Sequence, residues 1–223
     1  MYFCRFPKIK SSRHNVQIST IRMNRPDLII ITGSGKKVGK TFLAVSLIRH
    51  FSGMSGIIGL KISPHRHDTL GKVEMITGNE NFRIYRESEV HEKNSGQYLA
   101  AGAVASCFIE TEDRYLPAAI GEFMERCNPG GLPVVCESGA LGTILKPGVL
   151  IFIEDPLKRE EPAKEFQKRM ADLVIPARSF NPLKVIAKIQ LVQGNWMFHL
   201  TPPRPSPTRG GGGENGSPCS TDL

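Results

Sequence analysis

Lys40 and Thr41 close a run that reads Gly33-Ser34-Gly35-Lys36-Lys37-Val38-Gly39-Lys40-Thr41. Three glycines in seven residues let a backbone turn tightly and aim several N–H groups at one point. Lys40 has the reach to meet the β- and γ-phosphates of a nucleotide, and the Thr41 hydroxyl can face Mg²⁺. With Ser34, Gly35, Lys36, Lys37, Val38, Gly39 and Phe42, these two residues form an expected phosphate cradle. The strict spacing G-x-x-x-x-G-K-[ST] puts its first position on Ser34, with Gly33 one residue earlier; Gly33 tolerates positive φ and can absorb the offset. Lys36 and Lys37 either add phosphate contacts or remain solvated. The rival reading of the whole run is a glycine-rich turn that starts a helix.

A phosphate cradle with a metal needs an acidic partner. Glu137 follows the apolar run LPVVC and opens CESGAL. A carboxylate at the end of such a strand can hold Mg²⁺ directly or through water, or position an attacking water. The alternative is an acid that merely starts a helix. A second group of residues lies in LKISPHRHD, residues 60–68. There Lys61 is a candidate for binding an anion and Asp68 for joining the Mg²⁺ shell. His65 and His67, two apart, fit either a metal pair or a solvated loop. Asp68-Thr69-Leu70-Gly71 mimics a D-x-x-G motif but follows the wrong kind of segment. No N-K-x-D is present, so no motif selects guanine.

These residues have to be positioned by strands and helices. Residues 28–32 (LIIIT) are a β-branched apolar run and read as a buried strand; residues 41–51 carry an apolar helical stripe. Further strands are expected at 56–62, 83–85, 106–109, 132–136, 149–153 and 171–175, and helices at 97–105, 116–126 and 161–170. Residues 186–192 and 196–200 flank Gln193-Gly194-Asn195, a hairpin signal. Apolar strands alternating with helices imply an α/β domain, a mostly parallel sheet with helices on both faces and a C-terminal β-hairpin. In open sheets of this kind ligands sit beyond the carboxyl ends of the strands. The 33–41 loop, Lys61 and Glu137 all fall at such ends. In Tyr98–Ala103 (YLAAGA), small residues that let a helix end approach the sheet favour packing over catalysis.

The chain has 223 residues and a formal net charge of +8. Residues 1–26 hold Arg5, Lys8, Lys10, Arg13, Arg22 and Arg25 without an acid, and residues 201–223 are balanced. The middle of the chain is therefore nearly neutral, which argues against nucleic acid as a partner. Residues 1–26 read as a disordered basic leader, with Met23 a candidate initiator. Residues 27–200 read as the folded domain, and the Pro/Gly/Ser-rich 201–223 as a disordered tail. No apolar run approaches the roughly 20 residues that cross a membrane. Five cysteines without a C-x-x-C pair suit a reducing compartment, so a cytoplasmic protein is expected.

The blocks GSGKKVGKT, GLKISPHRHD, QYLAAGA, PVVCESGAL and LKPGVLIFIED, in that order over roughly residues 27–180, resemble the P-loop family of molybdopterin-guanine dinucleotide biosynthesis protein B. More distantly the plan is similar to dethiobiotin synthetase. Both belong to the SIMIBI class of P-loop NTPases, whose members often dimerise across their nucleotide sites. The resemblance implies binding of GTP or ATP with Mg²⁺, slow hydrolysis and a homodimer. It also implies a molybdopterin-related ligand or partner protein. It matches Lys40 to the phosphate lysine, Thr41 to the metal hydroxyl, Glu137 to the strand-end acid and Lys61 to the lysine ending the second strand. Asp68 falls at a downstream acid. The alternative functions are a small-molecule kinase or ligase of the dethiobiotin kind, and a non-catalytic nucleotide-binding scaffold.

Overall fold

The computed structural model describes residues 23–64, 73–90, 95–158 and 161–199. Eight strands form one sheet: β1 (Met23–Gly33), β2 (Ile58–Ser63), β3 (Val73–Gly78), β4 (Phe82–Glu87), β5 (Ala105–Thr111), β6 (Val134–Ser138), β7 (Leu145–Glu154) and β8 (Leu173–Pro176). Their spatial order is β3-β4-β5-β2-β6-β1-β7-β8. The six strands from β5 to β8 pair in parallel, while β3 and β4 add an antiparallel edge. The helices are α1 (Lys40–Phe51), α2 (Gly96–Ala100), α3 (Leu116–Arg126), α4 (Leu141–Ile144), α5 (Pro162–Met170) and α6 (Pro182–Ile186). Strands β9 (Ile189–Val192) and β10 (Asn195–Phe198) make a separate antiparallel hairpin.

Successive side chains of a strand point to opposite faces of the sheet, and β1 shows the result. Ile29 and Ile31 enter one core with Leu43 and Leu47 of α1, Tyr98 of α2 and Val185 of α6. Leu28 and Ile30 enter the other with Ile120 and Phe123 of α3 and Leu141 of α4. Helices thus cover both faces, which is why β1 reads as an unbroken apolar run. The hairpin closes the first face: Trp196 is buried and meets Phe51 edge-on at 5.1 Å. Among the described residues no helix is long and apolar enough to cross a membrane.

Several boundaries differ from the sequence expectation. β1 starts at Met23, so residues 23–26 of the expected leader are strand, with Met23, Asn24 and Arg25 paired to Leu145, Lys146 and Pro147. A break in register between Arg25 and Ile29, bridged by Arg25 Nε donating to Asp27 at 2.8 Å, masks this half of the strand in the sequence. The helix expected over 97–105 is five residues long, because Gly102 takes φ 99° and Ala103 N–H turns back to the Tyr98 carbonyl at 3.0 Å. The strand expected at 132–136 is shifted to Val134–Ser138, which places Glu137 inside the strand rather than after it. The hairpin turn is Gln193-Gly194, with φ 49° and 79°, and Asn195 already belongs to β10.

Candidate functional site

The strand order creates one point at which ligand binding is favoured. From β1 the chain passes through α1, on the first face, to β2. From β6 it passes through α4, on the second face, to β7 on the other side of β1. The two connections leave neighbouring carboxyl ends toward opposite faces, and the crevice between them is the topological switch point. The 33–41 loop leaves β1 there, and Glu137-Ser138-Gly139 ends β6 beside it.

The loop is fixed at both ends. Gly33 pairs with Ile153, and a Cβ on it would collide with the Ile153 carbonyl. Ser34 N–H donates to that carbonyl at 3.0 Å, and the Ser34 hydroxyl accepts from Asp155 N–H at 3.0 Å. Val38 is buried as an apolar anchor. Lys37 takes φ 62° and Gly39 φ 109°, so the chain reverses twice before α1 begins. A Cβ on Gly39 would stand 2.9 Å from Cε1 of Phe180, and at this φ any side chain is strained, so the position favours glycine. No side chain caps the start of α1 and its first turn carries no acid, leaving the positive end of the helix dipole directed at the loop. Phe42 is exposed and packs on Phe180, ring centroids 5.9 Å apart.

Strand register brings the remaining groups to this loop. Glu137 is the direct partner of Ile31 on β1 and of Lys61 on β2. Thr41 Oγ1 donates to Glu137 Oε2 at 2.7 Å, Tyr98 donates its hydroxyl to the same oxygen at 3.1 Å, and Lys61 Nζ lies 3.7 Å from Oε1. Lys40 Nζ donates to the Gly35 carbonyl at 2.6 Å, inside the loop. Burial lowers the Lys40 ammonium below the usual lysine range; Glu137 opposes this, while Lys164, Lys61 and Lys158 reinforce it. Burial, then the charge of Glu137, holds the Tyr98 hydroxyl well above its ordinary value, so it stays a donor.

Of the residues singled out in the sequence, Ser34, Gly35, Val38, Gly39, Lys40, Thr41, Lys61 and Glu137 lie together around this crevice. Lys36 and Lys37 lie on the exposed outer side of the loop. Asp68, with His65 and His67, lies outside the described residues. Three residues at the site have no functional role in the sequence reading. Tyr98 was read as packing, and it both packs and donates to Glu137. Asp155 caps a turn after β7: its Oδ1 accepts from Leu157 N–H at 3.2 Å, and its carboxylate lies 3.8 Å from Lys158 Nζ. Lys164, on α5, donates its ammonium to the Gly139 carbonyl. The pair Glu154-Asp155 at the end of an apolar strand was the one available signal for this rim. Nothing in the spacing of Lys164 pointed to it.

The donor chemistry fits Mg²⁺. Thr41 and Glu137 present hard oxygen atoms side by side, and Mg²⁺ characteristically takes one or two protein oxygens with phosphate and water completing its shell. No protein-family model, curated protein or solved structure matches the chain.

Proposed function

We propose that this chain binds a purine nucleoside triphosphate, GTP or ATP, with Mg²⁺ on the 33–41 loop and hydrolyses it slowly. The carrying observation is the contact of Thr41 with Glu137 at the switch point, beside a loop that holds Lys40 Nζ inward. The loop amides and Lys40 offset charge on the β–γ bridge and γ-oxygens. Thr41 and Glu137 hold the metal, which when bound supplies further positive charge to the phosphates. Glu137 or a neighbouring polar group orients water. In the step itself water adds to the γ-phosphorus and the bond to the bridging oxygen breaks. The electron pair leaves on the diphosphate and the water's proton passes to phosphate or solvent. The order of sequence blocks supports placing this activity in molybdenum cofactor biosynthesis.

A kinase reading is favoured by one feature. At the same rim a small cleft of about 90 Å³ lies between Pro64, Asn79, Arg83, Glu110 and Glu112. An acceptor hydroxyl or amine held there would replace water as the nucleophile. A thermal-shift panel of ATP, GTP, CTP and UTP, each with and without Mg²⁺, tests nucleotide binding. Ligand at 100 times its Kd stabilises by about 2.7 kcal/mol. A preference for one purine triphosphate with Mg²⁺ is expected, and no shift with any nucleotide removes the reading. Phosphate release without an acceptor favours hydrolysis over transfer.

A further inference from the structure

Lys40 is one of several ammonium groups at the crevice, and they share an uncommon arrangement. Lys40 rests on the Gly35 carbonyl at 2.6 Å, Lys158 on the Lys36 carbonyl at 2.9 Å, and Lys164 on the Gly139 carbonyl. Lys61 stands beside Glu137 on the neighbouring strand. Carboxylates already stand near two of them, Glu137 at 3.7 Å from Lys61 and Asp155 at 3.8 Å from Lys158, and the gathered ammonium groups together make the crevice attractive to a further, multiply charged anion. Their mutual repulsion registers on Lys40, where Lys164 is the strongest of the opposing lysines. A neutral carbonyl is also a weaker partner for an ammonium than a phosphate oxygen, where both groups are charged.

Lys164 is the best placed of these lysines. Helix α5 packs on the face of the sheet opposite α1, alongside α4. Its Gln167 is fully buried and donates Nε2 to the Gly139 carbonyl at 2.9 Å, which pins the helix to the end of β6. The Lys164 ammonium shares that acceptor, and a Cβ on Gly139 would stand 3.2 Å from Nζ. Gly139 is two residues beyond Glu137, whose carboxylate touches Thr41. Lys40 reaches the crevice from the α1 face and Lys164 from the other.

Resting on the nucleotide reading above, we propose that Lys164 is a second phosphate-binding cation. Its ammonium leaves the Gly139 carbonyl to grip the terminal phosphate from the side opposite Lys40. It supplies from within the chain the charge that an arginine finger supplies in other phosphoryl-transfer proteins. The substrate it selects is a triphosphate over a diphosphate.

Titration of the full chain with a nucleoside triphosphate and its diphosphate, each with Mg²⁺, tests this in wild type, Lys164→Gln and Lys164→Arg. Gln removes the charge and keeps an N–H donor on a side chain one bond shorter; Arg keeps the charge. One charge-assisted contact corresponds to roughly 10- to 100-fold in affinity. Lys164→Gln is expected to lose that factor for the triphosphate and stay within about twofold for the diphosphate, with Lys164→Arg near wild type. Melting of each variant without ligand separates a folding defect from a binding one. If Lys164→Gln does not fold, Lys164→Arg and Lys164→Met carry the same comparison. Wild type that binds nucleotide while Lys164→Gln binds both forms unchanged, or loses both equally, overturns the role of Lys164. Wild type that binds neither nucleotide overturns the nucleotide reading itself.

Discussion

Tyr98 stands directly on Gly59: a Cβ at Gly59 would lie 2.6 Å from Tyr98 Cδ2 and 2.7 Å from its Cβ. Gly59 is two residues before Lys61 on the same strand, so it faces the same side of the sheet. The bare backbone at Gly59 lets the Tyr98 ring lie flat enough for its hydroxyl to reach Glu137. Packing and site geometry are here one contact.

Gly59→Ala is therefore expected to act twice. Both partners are buried, so the added methyl forces the ring or the strand to shift, at a cost of about 1–3 kcal/mol. Chemical denaturation would show this as a lower midpoint with an unchanged slope. The shift also carries the Tyr98 hydroxyl off Glu137, so apparent Mg²⁺ affinity in the nucleotide complex should fall as well. Wild-type stability in Gly59→Ala would show that the ring has room that the geometry denies.

Tyr98→Phe separates the two roles. The ring and its packing remain; only the donor to Glu137 Oε2 is lost. Removing one buried hydrogen bond to a carboxylate costs roughly 1.5–3 kcal/mol. A rise in the Mg²⁺ concentration needed for half-maximal hydrolysis, with nucleotide affinity little changed, is the expected signature. An unchanged Mg²⁺ requirement and unchanged nucleotide affinity would instead mark Tyr98 as packing alone.

The crevice was legible where chemistry and local pattern coincide. The glycines lie in the loop between an apolar strand and an amphipathic helix that Lys40 and Thr41 open, so motif and period together locate them. Glu137 was legible because it ends an apolar run. The contacts that complete the site are long-range: Tyr98 meets Glu137 across 39 positions, and Lys164 meets Gly139 across 25. No local period records such a meeting. The same holds for β3, which the sequence reading missed. Its pairing with β4 shifts register between Met75 and Thr77 and Met75 is 60% exposed, so inside and outside do not alternate along this edge strand. The turn into β4 is made instead by Asn79, whose Oδ1 accepts from Asn81 N–H at 2.8 Å and Phe82 N–H at 3.0 Å.

Lys40→Ala and Glu137→Gln should divide binding from turnover. Lys40→Ala removes the ammonium from the loop and is expected to abolish detectable nucleotide binding in calorimetry; unchanged affinity would remove the loop from the mechanism. Glu137→Gln keeps the shape of the side chain but not its charge. It should still bind nucleotide while Mg²⁺-dependent phosphate release drops by about 10²-fold or more. Full activity in Glu137→Gln would make the carboxylate structural.

Gly39→Ala probes the loop without touching any charged group. At φ 109° an L-residue is strained, and the methyl would meet the Phe180 ring at 2.9 Å. The two effects are separable by Phe180→Ala, which clears the space and leaves the backbone strain. Gly39→Ala alone is expected to lower stability by about 1–3 kcal/mol and to weaken triphosphate binding, because the first turn of α1 starts from this residue. The double variant should recover part of the stability and little of the affinity, since the left-handed backbone that orients Lys40 and Thr41 is still opposed. Recovery of full affinity in the double variant would show that Phe180, rather than the Gly39 backbone, limits the cradle.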